Sequence, residues 1–217
     1  MPSLECRAIL FDLDGVLVDS RRCVELVWEA WAAERGRDPA PFIAVAQGRR
    51  TSDTVRLVAP ELDAAAEARA LDRLEEREVR GLAAAPGAAA LLGVLGEGQR
   101  ALVTSCSREV ARLRMAAARL PVPRVFVSAD DVRRSKPEPE GYLQAAERLA
   151  LAPGECVVVE DSPTGLAAAL AARIRVIALL TTYPAGALSR ADVRLASLAD
   201  LRLEAAAPGR LAVTWSA

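Results

Sequence analysis

Spaced by apolar and polar positions, the chain opens on a short apolar run, Ala8-Ile-Leu-Phe11. The run stops at Asp12-Leu-Asp14-Gly15, resumes as Val16-Leu-Val18 and closes on Asp19-Ser20. Consecutive apolar residues over so short a length predict a strand buried on both faces across Arg7–Phe11. Residues 21–36 change to a helical period, with Val24, Val27, Trp28 and Trp31 on one face and Gly36 as a stop. The stretch 37–60 is broken by Pro39, Pro41 and Pro60, and its polar turn Gln47-Gly-Arg-Arg-Thr-Ser-Asp-Thr54 opens another helix. Residues 61–80 read as a charged helix patterned in Ala and Leu, and no strand is expected between 21 and 80.

From Pro86-Gly87 the pattern alternates. Helices are expected at 87–96, 108–119, 139–150 and 163–172, and strands at 100–105, 124–128, 156–160 and 174–180, with a short one near 193–195. Alternation at this spacing predicts an α/β fold, a Rossmann-like parallel sheet core with an inserted all-helical cap domain. The expected division is a core of residues 1–17 and 85–217 and a cap of residues 18–84. The Ala-rich residues 204–217, with a late Val213 and Trp215, receive no assignment.

Ligands of an open parallel sheet bind outside the carboxyl ends of its strands, so the residues at those ends decide the chemistry. Asp12 and Asp14, two apart, project to the same side. Two carboxylates at one site repel unless a cation lies between them or one keeps a proton. A hard divalent ion would take such oxygens, and a protonated partner would serve as a general acid. The next strand ends in Thr104-Ser-Cys-Ser107, hydroxyls and amides at a helix start that suit an anion such as phosphate, although Ser and Thr are also ordinary caps. Lys136 follows the third strand, in a loop that Pro137 and Pro139 stiffen. Glu160-Asp161 closes a β-branched run, where acids need a cation or hydrogen bonds. Carboxylates, hydroxyls and a lysine at neighbouring strand ends are what magnesium-assisted phosphoryl transfer requires.

Composition sharpens this. The 217 residues carry a net charge of -1 with both signs mixed along the chain, so neither a nucleic-acid nor an anionic-membrane footprint is visible. No signal peptide and no apolar run of membrane-spanning length is present, so a cytoplasmic protein is expected. The chain has no histidine, which excludes imidazole catalysis and His-ligated zinc. Carboxylates must then move any protons. Lys136 is the single lysine among cations that are otherwise all arginine, which points to a role arginine does not fill. Cys6, Cys23, Cys106 and Cys156 lack metal-ligand spacing and read as reduced, mostly buried thiols.

Asp12-x-Asp14-Gly, Thr104/Ser105, Lys136-Pro and Glu160-Asp161 resemble, in order and spacing, the four motifs of the haloacid dehalogenase superfamily, over nearly the whole chain. The insert resembles its C1-type cap, with Gly48-Arg49-Arg50-Thr51 where that cap carries a substrate-specificity loop. Val103-Thr-Ser, Ser128-Ala-Asp-Asp-Val and Lys136-Pro-Glu-Pro-Glu-Gly-Tyr142 are similar to the superfamily's sugar-phosphate and polyol-phosphate phosphatases, those of 2-deoxyglucose 6-phosphate and glycerol 3-phosphate among them. The resemblance implies that Asp12 is the nucleophile and Asp14 the proton carrier. It further implies that Asp12, the Asp14 carbonyl, Asp161 and, through water, Glu160 hold Mg²⁺. Ser105, with Thr104 beside it and the Cys106 amide, would bind phosphate, Lys136 would bridge Asp12 and the phosphoryl group, and Arg49 or Arg50 would meet substrate from the cap. Asp14 argues against dehalogenation. Val24, near where β-phosphoglucomutase has a histidine, makes hydrolysis the expectation and a sugar phosphomutase the alternative. The expected partner is a small phosphorylated molecule, with the chain a monomer or weak dimer. Arg173 stands where relatives often have a glycine.

Overall fold

The computed structural model describes residues 2–215. Its centre is a six-stranded, fully parallel sheet. Strand β2 (Ala8–Phe11) lies between β5 (Arg100–Val103) and β7 (Cys156–Glu160). Strand β6 (Val125–Val127) flanks β5, and β8 (Arg175–Leu179) followed by β9 (Val193–Leu195) completes the other side. All four residues of β2 are fully buried, the burial that an uninterrupted apolar strand predicts. Two apolar layers account for it. One lies under helices α5 (Ala88–Val94) and α6 (Arg108–Ala117), the other under α7 (Glu140–Arg148) and α8 (Pro163–Ala171).

The insert forms four helices, α1 (Arg21–Glu34), α2 (Ala40–Ala46), α3 (Thr51–Val58) and α4 (Ala64–Glu75), around a core of their own. Trp28 stacks on Phe42 at 5.2 Å between ring centroids, and Trp31 meets Phe42 edge-on at 4.8 Å. Aromatic contacts of this kind add about 0.5–1.5 kcal/mol beyond burial. Pro39 and Pro41, read from sequence as breaks, instead start α2, because a first-turn proline removes an N–H that has no intrahelical acceptor anyway. The helix expected over 61–80 ends at Glu75. Two chain crossings join cap to core, and they pair as a two-residue antiparallel ladder of β3 (Val18–Asp19) and β4 (Ala83–Ala84).

The chain ends hold a sheet absent from the sequence reading. Strand β1 (Ser3–Cys6) pairs antiparallel with β11 (Arg210–Trp215), which pairs with β10 (Leu201–Ala207). Much of the unassigned tail is therefore a hairpin turning at Pro208-Gly209, with Leu201 and Val213 buried against the α5 layer. Residues 216 and 217 of that tail lie outside the described residues. Among the described residues no helix is long and apolar enough to cross a membrane.

Candidate active site

Every strand-end residue singled out above lies at one rim of the sheet. Beyond β2 the backbone turns sharply: the amides of Val16, Leu17 and Val18 all donate to the Leu13 carbonyl, and Gly15 adopts φ +75°. That left-handed turn needs glycine twice over, since a Cβ there would also overlap the Asp161 carboxylate. The turn brings Asp12 and Asp14, 2% and 8% exposed, beside the ends of β5 and β7.

Lys136 Nζ makes an ion pair with Asp12, donates to Glu160 Oε1 at 2.6 Å and to the Val103 carbonyl at 3.3 Å. Glu160 is wholly buried and fully engaged. Its Oε1 also accepts from Tyr142 Oη at 2.8 Å, and its Oε2 accepts from the Asp161 and Ser162 amides and Ser162 Oγ at 2.9–3.0 Å. Burial works to raise this carboxyl, but Lys136 and these hydrogen bonds outweigh it and hold it below the usual range. Asp12 goes the other way. Burial pushes it up to about 7, with Glu160 and Asp14 adding to the rise and Lys136 opposing it.

Asp161 is the least satisfied member. Its Oδ2 accepts from Thr182 Oγ1, whereas its buried Oδ1 has no partner among the described residues. Burial, with Glu160 and Asp12 nearby, raises its pKa well above the carboxylate range. Asp12, Glu160 and Asp161 each place an oxygen within 4.8 Å of the others'. An orphaned carboxylate oxygen among three clustered, buried acids fits a hard divalent cation. Because Glu160 is saturated by protein donors, Asp12 and Asp161 are the carboxylates with oxygens to spare.

The hydroxyls at the end of β5 face the cap. Ser105 Oγ donates to the Gly48 carbonyl at 3.1 Å, and Thr164 Oγ1 donates to the same carbonyl at 3.0 Å. Thr104 Oγ1 accepts from the Cys106 amide at 3.1 Å. The two cap arginines part company. Arg49 lines the void over Asp12, while Arg50 Nη2 donates to the Ala129 and Val132 carbonyls at 2.6 and 3.1 Å and so clasps the cap to the core.

Four contributors were given no role from the sequence. Arg114, 2% exposed, donates from Nη1 to Asp14 Oδ1 at 2.6 Å and to Cys106 Sγ at 3.1 Å. Glu75, Tyr142 and Thr182 are the others. The signal for Arg114 was its place on the apolar stripe of α6 with Val110, Ala111 and Met115; for Glu75 it was the stripe of Ala64 and Leu71 in α4. Together Asp12, Asp14, Trp28, Arg49, Glu75, Thr104 and Arg114 help enclose a void of about 30 Å³.

The haloacid dehalogenase-like hydrolase family model matches residues 6–173. Hexitol phosphatase A of Escherichia coli K12 is 43% identical over 203 residues, which cover 91% of this chain and 94% of that enzyme. Glycerol-1-phosphate phosphohydrolase 1 of Saccharomyces cerevisiae is 30% identical over 196 residues, covering 83% and 77%. A hydrolase from Pseudomonas syringae superposes with a TM-score of 0.80 at 25% identity, covering 89% of this chain and 94% of that one. With the four motifs assembled on one rim and a family model spanning most of its length, the chain belongs to the haloacid dehalogenase-like hydrolases.

Proposed function

We propose that this hydrolase is a phosphatase of small phosphorylated polyols or sugars, acting through an aspartyl phosphate on Asp12. The observation that carries the reading is the Asp12 carboxylate itself, buried at the end of the central strand and paired with the chain's single lysine. The substrate class rests on the likeness to hexitol and glycerol-1-phosphate phosphatases.

In this mechanism an Asp12 oxygen attacks phosphorus, the ester P–O bond breaks, and Asp14 gives its proton to the departing alcohol oxygen. Asp14, now a carboxylate, takes a proton from the water that attacks the same phosphorus, which frees Asp12 and inorganic phosphate. Lys136 neutralises charge on Asp12 and on the transferring group, and Glu160 fixes Lys136. Ser105, Thr104 and the Cys106 amide bind the phosphoryl oxygens once the cap lifts Gly48 from Ser105. Mg²⁺ held by Asp12, Asp161 and the Asp14 carbonyl, with Glu160 behind, would supply charge stabilisation for the phosphoryl oxygens. Arg49 faces the leaving group from the cap.

Phosphate release from polyol and sugar phosphates, measured with Mg²⁺ and with chelator, tests the reading. Asp12→Asn is expected to lower turnover by about a thousandfold or more while circular dichroism stays native. Release that survives both chelation and Asp12→Asn would refute it.

A further inference from the structure

The void over Asp12 and Asp14 contains a pair of charges that phosphoryl transfer leaves unused. Arg114 Nη1 is occupied by Asp14 and Cys106, but its buried Nη2 donates no hydrogen bond among the described residues. Glu75, at the end of α4 in the cap, stands opposite with Oε1 3.4 Å from that Nη2, and no hydrogen bond reaches its carboxylate from the described residues. The two form an ion pair that is too long for a good hydrogen bond, so the charges offset each other while the buried Nη2 hydrogens stay without an acceptor, which is costly to leave unsatisfied. Burial pushes Glu75 up to about 7 although Arg114 pulls it down, the sign of an under-solvated carboxylate. The two residues come from opposite sides of the domain boundary, and both line the void. An alcohol hydroxyl satisfies both at once: its oxygen accepts from Nη2, and its hydrogen is donated to Glu75.

We infer that Arg114 and Glu75 together read a hydroxyl of the leaving alcohol, which makes polyhydroxy phosphate esters the substrates and plain alkyl esters poor ones. This rests on the phosphatase reading above. Arg114 also holds Asp14, which protonates the ester oxygen, so the hydroxyl it reads lies near that oxygen along the carbon chain. An ester without the hydroxyl leaves the Nη2 hydrogens without an acceptor beside a loose ion pair in a closed site, and that is how a pocket rejects a ligand of nearly the right shape.

The test compares kcat/KM for glycerol 1-phosphate and n-propyl phosphate, esters of equal carbon count with and without hydroxyls. The proteins are wild type, Glu75→Leu, Glu75→Gln and Arg114→Met, with p-nitrophenyl phosphate as the general probe. Wild type is expected to prefer the glycerol ester by about tenfold or more. Glu75→Leu and Arg114→Met should bring the ratio toward one, and Glu75→Gln, which keeps an acceptor, should fall between. Variants that lower both esters alike, with the ratio intact, would mark a merely structural pair and overturn the inference. A wild-type ratio near one overturns it without any variant. Wild type that hydrolyses p-nitrophenyl phosphate at such a ratio leaves the phosphatase reading standing, whereas no release from any of the three removes both.

Discussion

At the level of single residues, the buried acids dominate, and their burial has a measurable sign. A carboxyl whose folded pKa is raised, as Asp12 is from 3.8 to about 7, contributes its stability only while it keeps its proton. That contribution is full below about pH 4 and is lost as pH climbs through 7. Metal-free protein should therefore lose stability over this window, and Mg²⁺, which favours the ionised acids, should raise the melting temperature more at pH 8 than at pH 6. Thermal unfolding with Mg²⁺ or chelator at the two pH values checks this; an equal Mg²⁺ shift at both would contradict it. The four thiols give a second expectation. Burial raises Cys6 and Cys23 to about 11, Cys156 to about 12, and Cys106 well above its ordinary value. A thiol reagent at pH 8 should find almost none of them in native protein and all four after denaturation. The acids and Lys136 were legible in the sequence because each interrupts an apolar run at a strand end. Arg114 and Glu75 were not, because a lone charge on a helix stripe differs little from an ordinary lapse in periodicity.

Among the elements, α6, α7 and α8 end alike. Arg119, Ala150 and Arg173 follow them at φ of +56 to +58°, and the next amide, of Leu120, Leu151 or Ile174, reaches back to the carbonyl five residues before it. This closure is one that glycine usually makes, and a side chain at positive φ costs about 1 kcal/mol. Arg173→Gly is expected to stabilise the fold by about 0.5–1 kcal/mol, read by urea unfolding. Gly165 in α8 is the reverse case. A Cβ there would overlap the Glu160 carboxylate, so Gly165→Ala should displace Glu160, cost about 1–3 kcal/mol of stability and lower activity through Lys136. The parallel strands were legible because they are apolar on consecutive positions. The terminal hairpin was hidden for a plain physical reason: its apolar side chains against the core layer are Leu201, Leu203, Leu211, Val213 and Trp215, and the mostly exposed alanines among them resemble no particular element. Their alternation around Pro208-Gly209 was the signal available.

For the molecule as a whole, the cap is seated. Gly48 rests on Ser105 and Thr164, Arg50 grips the 129–132 loop, and Ser135 bonds Asp53, so that the enclosed void of about 30 Å³ has room for a water or two and not for a sugar phosphate. Under the proposed function substrate entry calls for the cap to lift, and the expected pivot is at the two chain crossings, which pair at Val18–Asp19 and Ala83–Ala84. Arg50→Ala should favour the lifted state, seen as faster amide exchange along residues 46–51 and 129–132. Lys136 reports on a deeper opening. A lysine-directed acylating reagent meets a chain with one side-chain amine, buried and held as an ammonium between two carboxylates of the sheet rim. Acylation needs the free amine, so its labelling should be slow in the folded protein and quick once the rim itself comes apart, with no engineered dye or inserted cysteine.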